Sequence, residues 1–455
     1  MDSNANQRIA GLPVLDRMRA LHVPAVSIAI IEDGRIVEET ALGTRCADGA
    51  PEDRVTPRTR FQACSISKPI AALAMQRLVA QGVLDLDADI NTLLRGWQVP
   101  ASGDWQPRIT LRQLASHSAG LSTHGFPGYS RDATLPDLVH VLSGSAPANT
   151  ESVRVAIVPG VQFRYSGGGL VVMQLIMQEA TGVPFPQLMR DLVLDPVQMQ
   201  DSGYDQPLPD ALHRTAAVAH DLDGRPIPGE WHVYPELAAA GLWTTAGDLA
   251  RYAIAVQRAV ADADGALLSP ADADRMLTPQ TPPAPRAERV GGLNAVGIGP
   301  FVRLADGRVS YFGHSGGNEG FRCHLLAHRD LGFGAAVMTN GDGGMPLIAE
   351  ILDAIAEARR WPDFVRSELD PLPPQGSGLD PFAGSYRLES GVMINLERHG
   401  STLLASIGDQ QQLTFLALDD ETVASRVTDT TLTRSPEGLL LRQGDSEFVC
   451  HRVDG

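Results

Sequence analysis

The sequence lacks the long apolar runs and the clustered basic residues that mark membrane and nucleic-acid-binding proteins. No apolar stretch in its 455 residues approaches the ~18 residues needed to span a bilayer. The 37 basic residues are outnumbered by 54 acidic ones, for a net charge of −17, and they form no stripe that would replace the counterions of a nucleic acid. The sequence therefore predicts neither a membrane span nor a nucleic-acid partner.

Metal and cofactor motifs are missing as well. The cysteines Cys46, Cys64, Cys323 and Cys450 lie far apart with no CxxC pair, which is typical of free thiols rather than of a disulfide framework or a zinc site. There is no HExxH, no GxxxxGK[ST] and no GxGxxG that opens a βαβ unit. We expect neither a metal nor a cofactor, and we interpret His117 as a structural histidine.

The first residues, MDSNANQ, contain no basic region followed by an apolar stretch, so no signal peptide is predicted. This favours a cytoplasmic protein. A periplasmic location stays open, because a chain whose signal peptide had been removed would look the same. The oligomeric state is not indicated by any pattern.

What the sequence does contain is the composition of a globular protein, with 43% hydrophobic and 20% charged residues. Strand and helix patterns follow one another in this order: strands at 25–43 around the Asp33-Gly34 turn, a helix at 66–83, a mostly helical region at 110–260, strands at 298–340 and a helix at 347–358. Strands, then helices, then strands predict one sheet whose strands are far apart in sequence. We expect an α/β (α+β) domain over residues 1–365 with a helical insertion.

A different pattern follows this domain. Residues 366–379 are rich in proline and glycine and predict a linker. Residues 380–455 form short alternating runs separated by turn residues, which predicts a small antiparallel barrel or sandwich.

The first candidate for chemistry is the SxxK motif Ser65-Ile-Ser-Lys68. Three-residue spacing on a helix places Lys68 one turn from Ser65 on the same face, where a desolvated neutral amine can take the serine proton. Pro69 is tolerated only in the first turn of a helix, so this helix begins near Ser65. The alternative is a serine that only caps the helix.

The second candidate is Tyr165, in the segment Phe163-Arg-Tyr-Ser-Gly-Gly-Gly-Leu170 ahead of a helical pattern. A phenol at the start of a helix can shuttle protons if nearby cations lower its pKa. The alternative is a buried aromatic residue at a junction between a loop and a helix.

The third candidate is Gly313-His-Ser-Gly-Gly317, which ends a strand pattern and precedes another. Small residues on such a strand let a substrate backbone lie close, and His314 can donate or accept a hydrogen bond. The alternative is a glycine turn between two strands. The segment also matches the GxSxG nucleophile elbow, but no helical pattern follows it, so that interpretation is not favoured.

The three motifs in this order resemble the serine β-lactamase and penicillin-recognising hydrolase family. The branch that they resemble contains class C β-lactamases, D-alanyl-D-alanine carboxypeptidases, D-aminopeptidases and related esterases. The resemblance covers roughly residues 10–360. It extends to three further stretches: FQACSISK ending at Lys68, ITLRQLASHSAGL from Ile109, and GLWTTAGDL from Gly241.

The resemblance implies a β-lactamase-like antiparallel sheet flanked by helices, and a C-terminal barrel similar to the lipocalin-like barrel of some members. It implies that Ser65 attacks an acyl carbonyl, Lys68 acts as its base and Tyr165 relays the proton to the leaving group. The N–H groups of Ser65 and Gly317 would form the oxyanion hole, where a lost donor costs about 3–4 kcal/mol of barrier. His314 would replace the third motif's lysine.

By the same resemblance, the substrate would contact Gly167, Ser315, Gly316 and Trp243. Two departures from the family pattern bear on the substrate. Gly167 replaces the usual asparagine, which weakens the case for β-lactam hydrolysis. His314 replaces lysine, and a neutral imidazole anchors a carboxylate less firmly than an ammonium.

We therefore expect a serine hydrolase that acts through an acyl-enzyme on D-configured peptides, amides or small esters, with a small-molecule or peptide acyl substrate as its partner. One alternative is a penicillin-binding-type thioesterase or acyltransferase that releases or cyclises peptidyl thioesters. Another is a non-catalytic sensor that binds β-lactams or peptides on the same fold.

Overall fold

A computed structural model of the chain describes residues 8–47, 49–280, 290–367, 379–399, 402–407, 413–417, 421–425, 430–443 and 446–453. The chain divides into two compact units, Met1–Ser122 with Gly128–Glu368, and Thr123–Pro127 with Leu369–Gly455. Most of the predicted linker at 366–379 lies outside the described residues, so the linker stays a prediction.

The first unit is built on a seven-stranded antiparallel sheet, whose strands from one edge to the other are Arg35–Gly43, Ala25–Glu32, Gly334–Thr339, Phe321–His328, Arg308–Asn318, Phe301–Ala305 and Ala295–Val296. The strands from the start of the chain pair with a strand from its later part, which confirms the prediction of one sheet from distant segments. The strands of this unit are β1 Arg8–Ile9, β2 Leu12–Pro13, β3 Ala25–Glu32, β4 Arg35–Gly43, β5 Phe61–Gln62, β6 Trp243–Thr244, β7 Ala295–Val296, β8 Phe301–Ala305, β9 Arg308–Asn318, β10 Phe321–His328 and β11 Gly334–Thr339.

Ten helices accompany this sheet in the described part of the unit: α1 Val14–Ala20, α2 Ser67–Ala80, α3 Leu111–Ala115, α4 Leu138–Ser143, α5 Gly167–Thr181, α6 Phe185–Met189, α7 Leu237–Ala240, α8 Ala246–Val260, α9 Pro270–Leu277 and α10 Gly344–Arg359. The predicted helix at 66–83 ends at Ala80, ahead of Gly82, whose φ of +72° lies in the left-handed region. No described helix is long and apolar enough to cross a bilayer.

The described residues of the second unit form eight antiparallel strands, each paired with the next, and the last strand pairs with the first to close a barrel. Of the two folds that the sequence allowed, a barrel or a sandwich, the pairing of the last strand with the first shows the barrel. Its strands are β12 Gly384–Leu388, β13 Met393–His399, β14 Thr402–Ile407, β15 Leu413–Ala417, β16 Thr422–Ser425, β17 Thr430–Ser435, β18 Gly438–Gln443 and β19 Ser446–Arg452. Alternate residues such as Ile394 and Leu396 point inward and bury an apolar core. Its likeness to lipocalins stays a prediction.

Candidate active site

Ser65 lies in a tight turn that leads into α2. Cys64–Ile66 form a single 3₁₀ turn, and Cys64 has a φ of +52°, which is uncommon for a residue with a side chain. The hydroxyl of Ser67 donates to the carbonyl oxygen of Cys64 at 2.6 Å and accepts from the N–H of Leu242 at 3.1 Å. These bonds hold the turn so that Ser65 sits partly exposed at the N-terminal end of α2, as the position of Pro69 predicted.

Lys68 is held directly beside Ser65. Its Nζ lies 2.8 Å from the Oγ of Ser65 and 2.8 Å from the carbonyl oxygen of Ala239. The carbonyl can only accept a hydrogen bond, so one N–H of the amine points to Ala239. This orients the remaining valences of the nitrogen, including the lone pair of the neutral amine, toward Ser65.

The environment of Lys68 favours the neutral amine. The residue is only 3% exposed, and it is the single lysine in the sequence. Burial lowers the pKa of its amine from 10.5 to about 7, with a small opposing effect of the neighbouring Cys64. At neutral pH a large fraction of the molecules therefore carries a base within hydrogen-bond distance of the serine hydroxyl.

Tyr165 approaches the same amine from another part of the chain. It directly precedes Ser166, whose side chain caps α5 by accepting from the N–H of Gly169 at 3.1 Å. The centroid of the Tyr165 ring lies 5.0 Å from the Nζ of Lys68. The phenol therefore lies beside the amine that contacts Ser65, a position that suits a proton relay.

Strand β9 brings the third motif to the turn that carries Ser65. A Cβ added at Gly316 would lie 2.6 Å from the carbonyl oxygen of Ala63 and 2.4 Å from the sulfur of Cys323, so only glycine permits this approach. Gly316 is therefore buried in packing. The next residue, Gly317, is exposed, and an added Cβ there would make only ordinary contacts.

His314 lies on the same strand, with its ring centroid 6.2 Å from that of Tyr165. Its Nδ1 is 2.5 Å from the carbonyl oxygen of Ser315, which can only accept, so Nδ1 carries the proton. Burial, together with the nearby amine of Lys68, lowers the pKa of His314 from 6.5 to about 3. The ring is neutral, and its Nε2 is a buried acceptor with no hydrogen-bond partner among the described residues.

The structure thus brings Ser65, Lys68, Tyr165 and His314 together, with Gly317 on the strand that passes them. The strand continues to Asn318 and is followed by another strand rather than a helix, so the segment is not a nucleophile elbow. Gly167 is the first residue of α5 and is buried. No side-chain amide stands at this position.

The prediction that Trp243 binds substrate is wrong. The side chain is fully buried, and its ring packs edge-to-face against Trp231 at 5.3 Å and against Phe321 at 5.8 Å. The segment around Trp243 forms the short strand β6, whose pairing with β5 turns the ring into the core. The ring therefore offers no surface to a substrate.

Two site features were not predicted. The carbonyl of Ala239 belongs to the helix α7, an alanine run with no side chain that signals chemistry. The side chain of Asn318 donates to the Oε1 of Gln62 at 2.7 Å and to the carbonyl of Ala240 at 3.2 Å, which ties the end of β9 to α7.

No described group of three or more histidine, cysteine or acidic side chains is arranged to hold a metal ion. The four cysteines are free thiols, and only Cys46 is partly exposed.

Comparison with known proteins gives matches over most of the chain. The family model described as Beta-lactamase matches residues 14–360. Penicillin-binding protein 4 of Amycolatopsis lactamdurans is 26% identical over 389 residues, which cover 82% of this chain and 95% of that protein. Esterase EstB of Burkholderia gladioli is 31% identical over 220 residues, which cover 45% of this chain and about half, 52%, of the esterase.

Solved structures show the same fold. The octameric penicillin-binding protein homologue from Pyrococcus abyssi covers 96% of this chain and 98% of its own, with a TM-score of 0.61 and 20% identity. SurE with D-Leu covers 98% of both chains, with a TM-score of 0.60 and 22% identity. The D-amino acid amidase from Ochrobactrum anthropi SV3 covers 76% of this chain and 96% of its own, with a TM-score of 0.58 and 21% identity.

Proposed function

Because this chain belongs to the beta-lactamase family, whose members are serine hydrolases, we propose that it hydrolyses D-configured peptides, amides or small esters through an acyl-enzyme. Ser65 is the nucleophile, Lys68 is the general base and Tyr165 relays the proton. The family membership supplies the reaction class, and the rest of this proposal rests on the geometry around Ser65.

The observation that carries the proposal is the 2.8 Å contact between Ser65 and the buried amine of Lys68, whose pKa burial lowers to about 7. A serine hydroxyl is a poor nucleophile until a base takes its proton. A lysine that is exposed and charged would only donate to the hydroxyl. Burial gives this lysine the lone pair that the reaction needs.

The steps follow from these positions. The amine of Lys68 takes the hydroxyl proton as the Oγ of Ser65 bonds to the carbonyl carbon of the substrate. The tetrahedral adduct collapses and expels the amine or alcohol, which receives its proton through the phenol of Tyr165. Water then attacks the ester carbonyl, gives up a proton to the same groups and releases the acid with Ser65 restored.

The negative charge of the adduct needs two donors. We assign this role to the N–H groups of Ser65 and Gly317. The packing of Gly316 against Ala63 supports the assignment, because it fixes the strand of Gly317 alongside the turn of Ser65. The helix α2 also begins here, and the N-terminal end of a helix favours negative charge.

The neutral ring of His314 supports the substrate class. A neutral imidazole whose Nδ1 proton is held by the carbonyl oxygen of Ser315 offers a carboxylate no charge and no free donor, unlike the ammonium of a lysine. The partly exposed Ser315 adds a polar group beside it. We therefore place neutral and amine-bearing substrates ahead of the anionic β-lactams, and the D-configuration follows the D-Leu complex and the D-amino acid amidase among the structural relatives.

Acyl transfer is the second candidate. Water and an amine compete for the same acyl-enzyme, so a peptidyl thioester with a free amine at its other end would give a linear acid or a cyclic amide. The ratio of cyclic to linear product formed from a peptidyl thioester distinguishes acyl transfer from hydrolysis. If the only product is the linear acid, acyl transfer is excluded.

The acyl-enzyme is tested with a fluorophosphonate probe followed by peptide mapping in a mass spectrometer. We expect one modified residue, Ser65, no labelling of Ser65→Ala, and full labelling of the control Ser102→Ala, which alters an exposed serine. Equal labelling of wild type and Ser65→Ala, or of neither, would contradict the proposal.

The substrate class is tested with a panel of D- and L-amino acid amides, p-nitrophenyl esters and the β-lactam nitrocefin. We expect turnover of an ester or D-amide well above that of nitrocefin. Preferred turnover of nitrocefin would overturn the assigned substrate class. Labelling of Ser65 with no turnover of any member would indicate a sensor that binds but does not hydrolyse.

A further inference from the structure

Both chain neighbours of Tyr165 donate hydrogen bonds to one residue, His117. The N–H of Arg164 donates to the carbonyl oxygen of His117 at 2.7 Å, and the N–H of Ser166 donates to its Nδ1 at 3.2 Å. The backbone on either side of Tyr165 is therefore fixed to a single point on another part of the chain.

The side chain of His117 also holds the ring of Tyr165. The two rings are stacked, with centroids 4.2 Å apart and planes inclined by 28°. His117 itself is only 2% exposed, and Phe163 and Phe301 pack against its ring at 6.0 and 6.4 Å. The stacked face is thus part of the core and does not move freely.

The backbone of His117 is held in an unusual conformation. Its φ is +54°, in the left-handed region that residues with side chains seldom adopt. It follows the short helix α3, and its N–H bonds back to the carbonyl of Leu114 at 3.4 Å. The conformation presents the carbonyl and the ring of one residue to the same segment, and backbone strain of this kind is frequent at functional sites.

The segment that carries Tyr165 has little other regular support. Residues 163–166 belong to no helix or strand, and α5 begins only at Gly167. A phenol that relays protons must be held within hydrogen-bond reach of the groups it serves. The contacts with His117 supply this constraint where secondary structure does not.

We propose that His117 is a positioning residue that fixes Tyr165 for proton relay, through the stacked rings and the two backbone hydrogen bonds. The proposal rests on the role assigned to Tyr165 under the proposed function. A backbone N–H can only donate, so Nδ1 of His117 is engaged as an acceptor and the neutral ring carries its proton on Nε2. His117 therefore acts through Tyr165 and not on the substrate.

Two substitutions divide the contributions of His117. His117→Asn keeps an acceptor in the place of Nδ1 and tolerates a positive φ, but it removes the stacked ring. His117→Gly tolerates the same φ and removes both the ring and the acceptor. We expect kcat for a p-nitrophenyl ester to fall by about 10-fold to 100-fold in His117→Asn and further in His117→Gly, with little change in KM.

The decisive comparison repeats both substitutions in a Tyr165→Phe background. If His117 acts through the phenol, its substitution there changes kcat little, because the relay is already lost. An equal fall in kcat in both backgrounds would overturn the proposal. The control His140→Asn changes a partly exposed histidine on α4 and should keep wild-type kinetics.

A second measurement does not depend on turnover. Lysine labelled with ¹³C at Cε gives one signal, that of Lys68, whose shift reports the ring current of Tyr165. We expect His117→Asn to move this signal part of the way to its position in Tyr165→Leu. An unmoved signal would overturn the positioning role. If Ser65→Ala retains full turnover while the signal moves, the proposed function fails and the positioning role stands.

Discussion

The barrel of the second unit and the site of the first unit bury opposite kinds of side chain. The barrel encloses apolar residues such as Leu403, Phe415 and Leu432, and the hydroxyl of its buried Tyr386 donates to the carbonyl of Phe382 at 2.9 Å. The site encloses the amine of Lys68 and the imidazole of His314, and burial lowers the pKa of each.

The two regions are therefore expected to serve different purposes in the chain. Apolar burial stabilises a fold, whereas burial of an ionisable group is unfavourable unless the group is neutralised or paired. Groups of the second kind are retained where their altered chemistry is used. Substitutions in the barrel core are therefore expected to lower the free energy of unfolding. Substitutions in the site are expected to lower turnover, and they can raise the free energy of unfolding when they remove a buried ionisable group.

The largest effect is expected from Lys68→Met, which replaces the amine with an apolar side chain of similar length. We expect kcat/KM for an ester to fall by about 10³-fold or more, because the base is lost. Unfolding by denaturant should give an unchanged or higher free energy of unfolding, since a buried amine is removed.

The pH dependence of that stability has a defined sign. The pKa of Lys68 is lower in the folded state, so the free energy of unfolding of the wild type rises with pH between about 7 and 10.5. This contribution, at most about 1.4 kcal/mol per pH unit, is absent in Lys68→Met.

The control Arg77→Met removes a cation from the same helix and should keep turnover. A loss of activity in Arg77→Met that matches the loss in Lys68→Met would contradict a specific role for Lys68.

Phe415→Ala tests the opposite expectation for the barrel. Removal of a fully buried phenylalanine should lower the free energy of unfolding by about 3–5 kcal/mol, because it leaves a cavity among apolar neighbours. Ester turnover at 25 °C should match the wild type, since every proposed catalytic group belongs to the first unit. Calorimetry measures the unfolding transition, and the ester assay measures turnover. Lost turnover with an unchanged unfolding transition would contradict the expectation that the barrel core affects stability and not activity.

Glu236→Gln in the first unit is expected to change only the pH dependence of stability. The carboxyl of Glu236 is fully buried, its oxygens have no hydrogen-bond partner among the described residues, and burial raises its pKa to about 8. A raised folded pKa gives stability that is present below the unfolded value of 4.5 and is lost as the pH rises through about 8. Glutamine does not ionise, so its advantage in the free energy of unfolding should grow between those values, and denaturant unfolding at both ends of the range measures it. A constant difference would show that Glu236 is not held protonated.

The parts of the structure that the sequence predicted are those set by local patterns. The strands around Asp33-Gly34 and the helix that follows Ser65 depend on turn residues, spacing and the position of Pro69. The three-residue spacing also places Lys68 beside Ser65 without any knowledge of the fold.

The parts that the sequence did not predict depend on contacts between distant segments. The carbonyl of Ala239 holds the amine of Lys68, but a backbone acceptor leaves no mark on residue type. Trp243 matched a family segment, yet its pairing partner turns it into the core. The importance of His117 comes from a left-handed backbone and a stacked ring, neither of which a residue pattern reveals.

The most direct test of the account is the pKa of Lys68 measured in the folded protein. With ¹³Cε-labelled lysine, the single lysine of the chain gives one signal that is followed through a pH titration. We expect a midpoint near 7, with kcat/KM for a neutral ester rising over the same pH range as the amine loses its proton. A midpoint near the ordinary value of 10.5 would contradict it, because the amine beside Ser65 would then be charged and unable to act as the base.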